Sequence, residues 1–169
     1  MGEEIMTKPD ILTPFNTALE TGIRALAILD AVFPATLDLQ RLVDFDYLVV
    51  HTGDVGGPKS LHAPLPMRTG EILVRREIIE DGLLLMMSRG LVQRLPSSTG
   101  IQYIASDTAN PFLSALGSLY IIRLRERATW VVGKYQNVPD EELKRTIRHF
   151  FDLWTIQFQP IESALGSSQ

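Results

Sequence analysis

Apolar side chains recur at helical spacing along most of this chain, and short strand-like runs occur in only one place. Leu19, Ile23, Leu26, Leu29 and Phe33 follow one another every three or four residues. Thr13 is placed to cap that helix, Pro14 to occupy its first position, and Pro34 to end it. A second helix is expected from Leu37 to Val50. Leu39, Leu42, Val43, Phe45 and Val49 make its apolar face, and Asp38, Asp44 and Asp46 mark its polar side. A third runs from about Gly70 to Ser88 with Ile72, Ile79, Leu83, Met86 and Met87 inward, and Arg89-Gly90 stops it with Gly90 as a left-handed cap. Leu91–Leu95 and Ile101–Ala105 read as a hairpin across Pro96–Gly100. Asn110-Pro111 opens a long helix carrying Leu113, Leu116, Tyr120, Leu124, Ala128, Val131 and Tyr135 as one stripe. Pro139-Asp140-Glu141-Glu142 starts the last helix, whose apolar face is Leu143, Ile147, Phe150, Phe151, Trp154 and Phe158.

Between the second and third helices lies an irregular stretch of about 19 residues, 51–69, longer than connections in compact domains usually are. Three glycines and three prolines within 51–66 argue against regular structure there and mark the loop as a functional candidate. The order helix, helix, two-stranded wing is that of a winged helix-turn-helix, a module that docks on DNA or protein and rarely does chemistry. The expected fold is therefore mainly α with a small β-hairpin: a winged helix-turn-helix followed by a long C-terminal helical pair. Residues 1–12 read as a flexible arm, 13–106 as the winged-helix domain, 107–159 as the helical pair and 160–169 as a flexible tail.

The chain has 169 residues, enough to bury roughly two-thirds of its unfolded surface. It contains no cysteine, which excludes disulfides and thiolate metal sites. The acidic start, Met1-Gly2-Glu3-Glu4, lacks the features of a signal peptide, and no apolar run approaches the ~20 residues of a membrane span. A cytoplasmic protein without membrane contact is expected. The net charge of −4 means that DNA binding would need a local basic patch.

Candidate chemistry is sparse. His51, Asp54 and His62 are the one cluster of metal or acid–base type, at a spacing that matches no ligand motif. The alternative is that His51 closes the preceding helix and His62 bonds backbone within the loop. Gly53-Asp54-Val55-Gly56-Gly57-Pro58-Lys59-Ser60 has a superficial likeness to a phosphate-binding loop, but Pro58 replaces the glycine before Lys59 and a helix precedes it. No serine sits in a Gly-x-Ser-x-Gly elbow. No catalytic residue, metal site or cofactor is assigned. The loop residues His51, Asp54, Gly56, Gly57, Pro58, Lys59, Leu61 and His62 are instead candidates for partner binding, with the glycines permitting tight turns. Arg68, Arg75, Arg76, Arg89 and Arg94 lie on or beside the third helix and the wing, the elements that approach DNA in a winged helix. The competing reading is a solvated face shared with Glu71, Glu77, Glu80 and Asp81, for instance through an Arg76–Glu80 pair. Arg123, Arg125, Arg127 and Lys134 form a second basic set, read as ordinary solvation of an amphipathic helix. The aromatics of the last two helices are core by default, and a homodimer through them is an open alternative.

Several segments resemble a middle component of bacterial ABC-three-component systems, closest to the type called middle component 2, over roughly residues 13 to 158. They are Thr13-Pro14-Phe15-Asn16-Thr17, Leu39-Gln40-Arg41-Leu42-Val43, Tyr47-Leu48-Val49-Val50-His51-Thr52-Gly53-Asp54, Gly57-Pro58-Lys59-Ser60-Leu61-His62, Arg68-Thr69-Gly70-Glu71 and Leu84-Leu85-Met86-Met87-Ser88-Arg89-Gly90-Leu91-Val92. The resemblance implies an operon with an ABC ATPase of the chromosome-maintenance (SMC-like) type and a variable effector, often a nuclease, in conflict or anti-phage defence. It implies a winged-helix adaptor between ATPase and effector, with DNA reached through the complex and no catalytic residues to carry over. The alternatives are a stand-alone winged-helix DNA-binding transcriptional regulator and a metal-dependent enzyme using His51, Asp54 and His62.

Overall fold

A computed structural model of the chain describes residues 17–62, 69–150 and 152. Helix α1 (Ala18–Val32) starts at Ala18, not at Pro14. Thr17 is extended, with φ −73° and ψ 155°, and its hydroxyl accepts from Glu20 N–H. Thr13 and Pro14 lie outside the described residues. Helix α2 (Leu39–Val50) is capped by Asp38, whose carboxylate accepts from Arg41 N–H at 2.7 Å. Leu37, expected to be helical, instead exchanges backbone hydrogen bonds with Tyr103 as an isolated antiparallel bridge.

Helix α3 (Thr69–Ser88) ends as the sequence predicts. Gly90 takes φ 69°, and Leu91 N–H and Gly90 N–H donate back to Met86 and Met87 carbonyls. Strands β1 (Val92–Ser97) and β2 (Gly100–Ala105) pair antiparallel from Val92↔Ala105 to Ser97↔Gly100. The turn is tighter than expected because Pro96 belongs to the strand, opposite Ile101. A two-stranded sheet has only edges, where a proline's missing N–H is tolerated.

The single long helix expected after Asn110 is two helices, α4 (Ala109–Leu116) and α5 (Leu119–Tyr135). Gly117 adopts φ 54° and ends the first, and Ser118 caps the second by accepting from Ile121 N–H at 3.2 Å. Residues 140–150 form α6, with Leu143 and Ile147 buried and Phe150 half-buried. Phe151, Trp154 and Phe158 fall outside the described residues.

Among the described residues the architecture is thus mainly helical with one antiparallel hairpin. Its apolar residues form one core cluster that draws on every helix and both strands. Helix α1 runs through the middle, packing on α3, α5, β2, α2 and α4. Its closest neighbour is α3, because the two backbones meet at a pair of glycines. A Cβ on Gly22 would lie 2.7 Å from the Gly82 carbonyl oxygen, and one on Gly82 would lie 2.6 Å from Gly22 N. Glycine inside a helix costs roughly 1 kcal/mol against alanine, and here the close approach offsets it. Gly82→Ala is therefore expected to destabilise the protein by ~1–3 kcal/mol, through overpacking and in spite of alanine's better helix propensity. Urea unfolding checks this, and a stabilised variant would mean that the helices do not touch at this point.

Candidate functional site

Arg24 stands on the core face of α1 and is 2% exposed. A guanidinium there needs a carboxylate, and α2 supplies Asp46, which is 1% exposed. Asp46 therefore turns inward and does not mark the polar side of α2. Arg24 Nε donates to Asp46 Oδ1 at 2.7 Å and Arg24 Nη2 to Oδ2 at 3.3 Å. Arg75 of α3 donates to the same carboxylate at 2.9 Å and lies over the Tyr47 ring. Burial opposes the charge on both primary partners. Attraction to Arg24 and Arg75 nevertheless holds the Asp46 carboxyl below the usual carboxylate range, and Asp46 holds Arg24 above its own. Arg24 also bonds Tyr120 of α5, whose hydroxyl meets His62 Nε2 at 3.2 Å. One polar network thus runs from the helical core to His62 in the loop.

The described part of the loop, residues 51–62, is tied together by its own hydrogen bonds. Thr52–Val55 forms a single 3-10 turn, despite the glycines that argued against regular structure, and Gly56 closes it at φ 78°. Thr52 hydroxyl donates to the Pro58 carbonyl, Ser60 hydroxyl accepts from Gly53 N–H, and Gly57 N–H donates to the Thr52 carbonyl. These amides are engaged within the loop, and the segment follows a helix, so it has neither the donors nor the setting of a phosphate-binding loop.

Helix α5 fastens this loop to the core. Arg127 donates to the Lys59 carbonyl from Nε at 2.8 Å and from Nη2 at 2.6 Å. Lys134 Nζ donates to the Val55 carbonyl at 2.8 Å while lying over Trp130 and Tyr135. Trp130 covers Gly57 so closely that a Cβ there would sit 2.6 Å from its ring. The second basic set is therefore not solvation of a helix face. Of the set, Arg127 and Lys134 hold the loop, Arg125 reaches Asp30 and Ser114, and Arg123 remains exposed. At the far end of α5, Arg41 donates to the Tyr135, Gln136 and Val138 carbonyls and pairs with Asp140, clamping the turn into α6.

Within the partner-loop set, Gly56, Pro58 and Lys59 are exposed. His51 is buried beneath Tyr47, with ring centroids 4.8 Å apart, and Asp54, Gly57, Leu61 and His62 are half-buried. His51 and His62 do not join Asp54 in a metal-sized group. Among the described residues no three His, Cys, Asp or Glu side chains gather in that way. Burial first, and then the nearby cations, push His51 down to about 3 and His62 to about 4. Burial raises Asp54.

In the DNA set, Arg75 is committed to Asp46 and Arg76 donates to Gln40, not to Glu80. Arg89 and Arg94 are exposed, and Arg68 lies outside the described residues. Outward on α3 stand Val74, Arg76, Glu77, Glu80, Asp81 and Leu84. Sequence reasoning missed Arg24, Arg41, Tyr120 and Trp130. The available signal was one opposite charge inside each of two otherwise apolar helical stripes, Arg24 and Asp46.

Fold and site together define a small helical protein with a hairpin and a loop segment, residues 51–62, hydrogen-bonded to its surface. The family model for ABC-three component (ABC-3C) system Middle Component 2 matches residues 14–157, and the chain belongs to that family. No match is found among curated proteins or among solved structures. Among the described residues no helix is long and apolar enough to cross a membrane.

The histidines set an acid limit on stability. Their folded values lie below the usual 6.5, so their contribution is complete above pH 6.5 and is lost as pH falls toward about 4 and about 3. Asp44 acts in the opposite sense. Burial raises it to about 6, so its contribution is present below the usual 3.8 and is lost as pH rises through about 6. Stability is expected to fall by about 1–2 kcal/mol per pH unit between pH 6 and 4, after allowance for the partial exposure of His62. Asp44→Asn should stabilise the protein at pH 7 by on the order of 1 kcal/mol and steepen that fall. Urea midpoints across this range check both, and a flat profile would contradict neutral, buried histidines.

Proposed function

We propose that this middle component is a non-enzymatic, cytoplasmic adaptor. It links an SMC-like ABC ATPase to an effector, often a nuclease, within a bacterial anti-phage complex. Family membership supports the reading. The observation that carries it furthest is where the polar side chains go. Arg24, Asp46, Arg75, Arg127, Lys134 and His62 all build the scaffold, leaving a rigid loop and mixed apolar surfaces facing outward.

The element order supports a winged helix-turn-helix within this fold. Helix α1 is followed by the Leu37 bridge to β2, then α2, α3 and the hairpin. A stand-alone DNA-binding regulator draws less support. The third helix of such a module needs cations toward the phosphates, whereas the described outer face of α3 sets one cation, Arg76, against Glu77, Glu80 and Asp81 between Val74 and Leu84. In the adaptor reading the loop and the exposed helical faces hold the effector beside the ATPase, and DNA engaged by the complex changes that geometry.

Co-purification of the tagged chain with the ATPase and effector of its operon tests this. A stoichiometric complex that survives Arg76→Glu and Arg94→Glu is the expected result. A chain recovered alone, binding duplex DNA with a steep salt dependence that those substitutions abolish, would establish the regulator instead.

A further inference from the structure

We propose that the cleft between residues 59–61 and the first turns of α5 is the docking site for an acidic, amphipathic segment of a partner protein, an assignment that rests on the adaptor reading. The cleft encloses about 510 Å³, with residues 59–61 as one wall and Leu119, Tyr120, Arg123 and Arg127 as the other. Among the described residues no carboxylate lines it, in a chain whose acids outnumber Lys and Arg by 20 to 16.

Its cations have different duties. Arg127 is committed to the Lys59 and Arg123 carbonyls. The Lys59 ammonium and the Arg123 guanidinium are exposed, and neither has an acid or hydrogen-bond partner among the described residues. The backbone bearing them is fixed, because Arg127 holds the Lys59 carbonyl and α5 carries Arg123. The loop-wall charge is therefore presented on backbone already ordered before a partner arrives.

The apolar half of the surface chooses the class of partner. Leu119 is 60% exposed, Ile122 48% and Leu116 38%, on adjacent turns across the Gly117 break. Large aliphatic side chains beside exposed cations suit a segment that carries both acids and apolar anchors. They do nothing for a nucleic acid backbone, and the aromatic ring in the lining, Tyr120, has its hydroxyl tied to His62 and Arg24. Glu126, the next exposed position on this face of α5, ends the basic stretch and would repel a long polyanion.

The test uses the complete chain co-expressed with the ATPase and effector of its operon. The Lys59→Glu, Arg123→Glu double variant and Leu119→Ser are compared with the parent for partner affinity and thermal melting. Hydrogen exchange is followed in the parent complex. At least a tenfold loss of affinity for one partner, with melting unchanged, is expected, together with exchange protection at 59–61 and 119–123 in the parent. Protection in the parent decides the matter if a variant proves unstable. A parent complex without that protection, or one that the variants join undiminished, overturns the docking site and leaves the adaptor reading standing. A parent chain that binds neither partner overturns both. Loss of affinity for duplex DNA in place of protein would make the cleft a nucleic acid site. Protection already present in the isolated chain and lost on dilution would assign it to a second copy.

Discussion

The structure depends on one buried ion pair. Arg24 of α1 and Asp46 of α2 bond twice in a region closed to water, and Arg75 of α3 completes the carboxylate's coordination. An unpaired charge there would cost several kcal/mol, and removing one partner of such a pair typically costs 3–5. Each charge is therefore a strict condition on where three helices can sit. An apolar contact tolerates sliding, whereas a two-point guanidinium–carboxylate bond does not. The same guanidinium reaches Tyr120, and Tyr120 reaches His62, so the position of the loop follows from the position of the helices.

The glycine crossing and the ion pair act together. Gly22 lies two positions before Arg24 on α1, and Gly82 lies two turns beyond Arg75 on α3. Close backbone approach at the glycines brings α3 within reach of Asp46. The remaining core, from Leu26 and Phe45 to Leu124 and Val131, packs around this arrangement. Helix α5 lies on α1 and α2 and turns its basic residues back toward the loop, so the second half of the chain completes the surface that the first half begins.

Local rules made the element order readable. Apolar spacing gave the helices, Gly90 gave the end of α3, and two short apolar runs about a turn gave the hairpin. The errors arose where a tertiary contact or a cap overrode the stripe. Apolar spacing carries on past Gly117, so the α4–α5 break had to be read from glycine and serine, whose roles there are conformation and capping. Asp46 looked like a surface acid because periodicity cannot see a partner 22 residues away. The loop reads from sequence as a partner-binding candidate, but its fastening to the core was not legible, because it comes from Arg127 and Lys134 more than 60 residues later. Arginines read as DNA contacts proved to divide between the core and the surface for the same reason. The charge of a residue is in the sequence, whereas its partner is in the fold.

What remains on the outside, among the described residues, is a mixed face of α3 with more acids than cations, a basic and apolar cleft, and a loop segment that presents Pro58 and Lys59. Such a surface suits a component that positions other proteins. The central claim is that α5 holds the loop rigid in the free chain. Amide hydrogen exchange across residues 51–62, in the parent and in Arg127→Met, tests it most directly. Protection is predicted at Gly57 and His62, whose amides bond the Thr52 and Val50 carbonyls. It should fall at least tenfold in the variant while the amides of α1 and α2 stay protected. A loop that exchanges at unprotected rates in the parent would contradict the account.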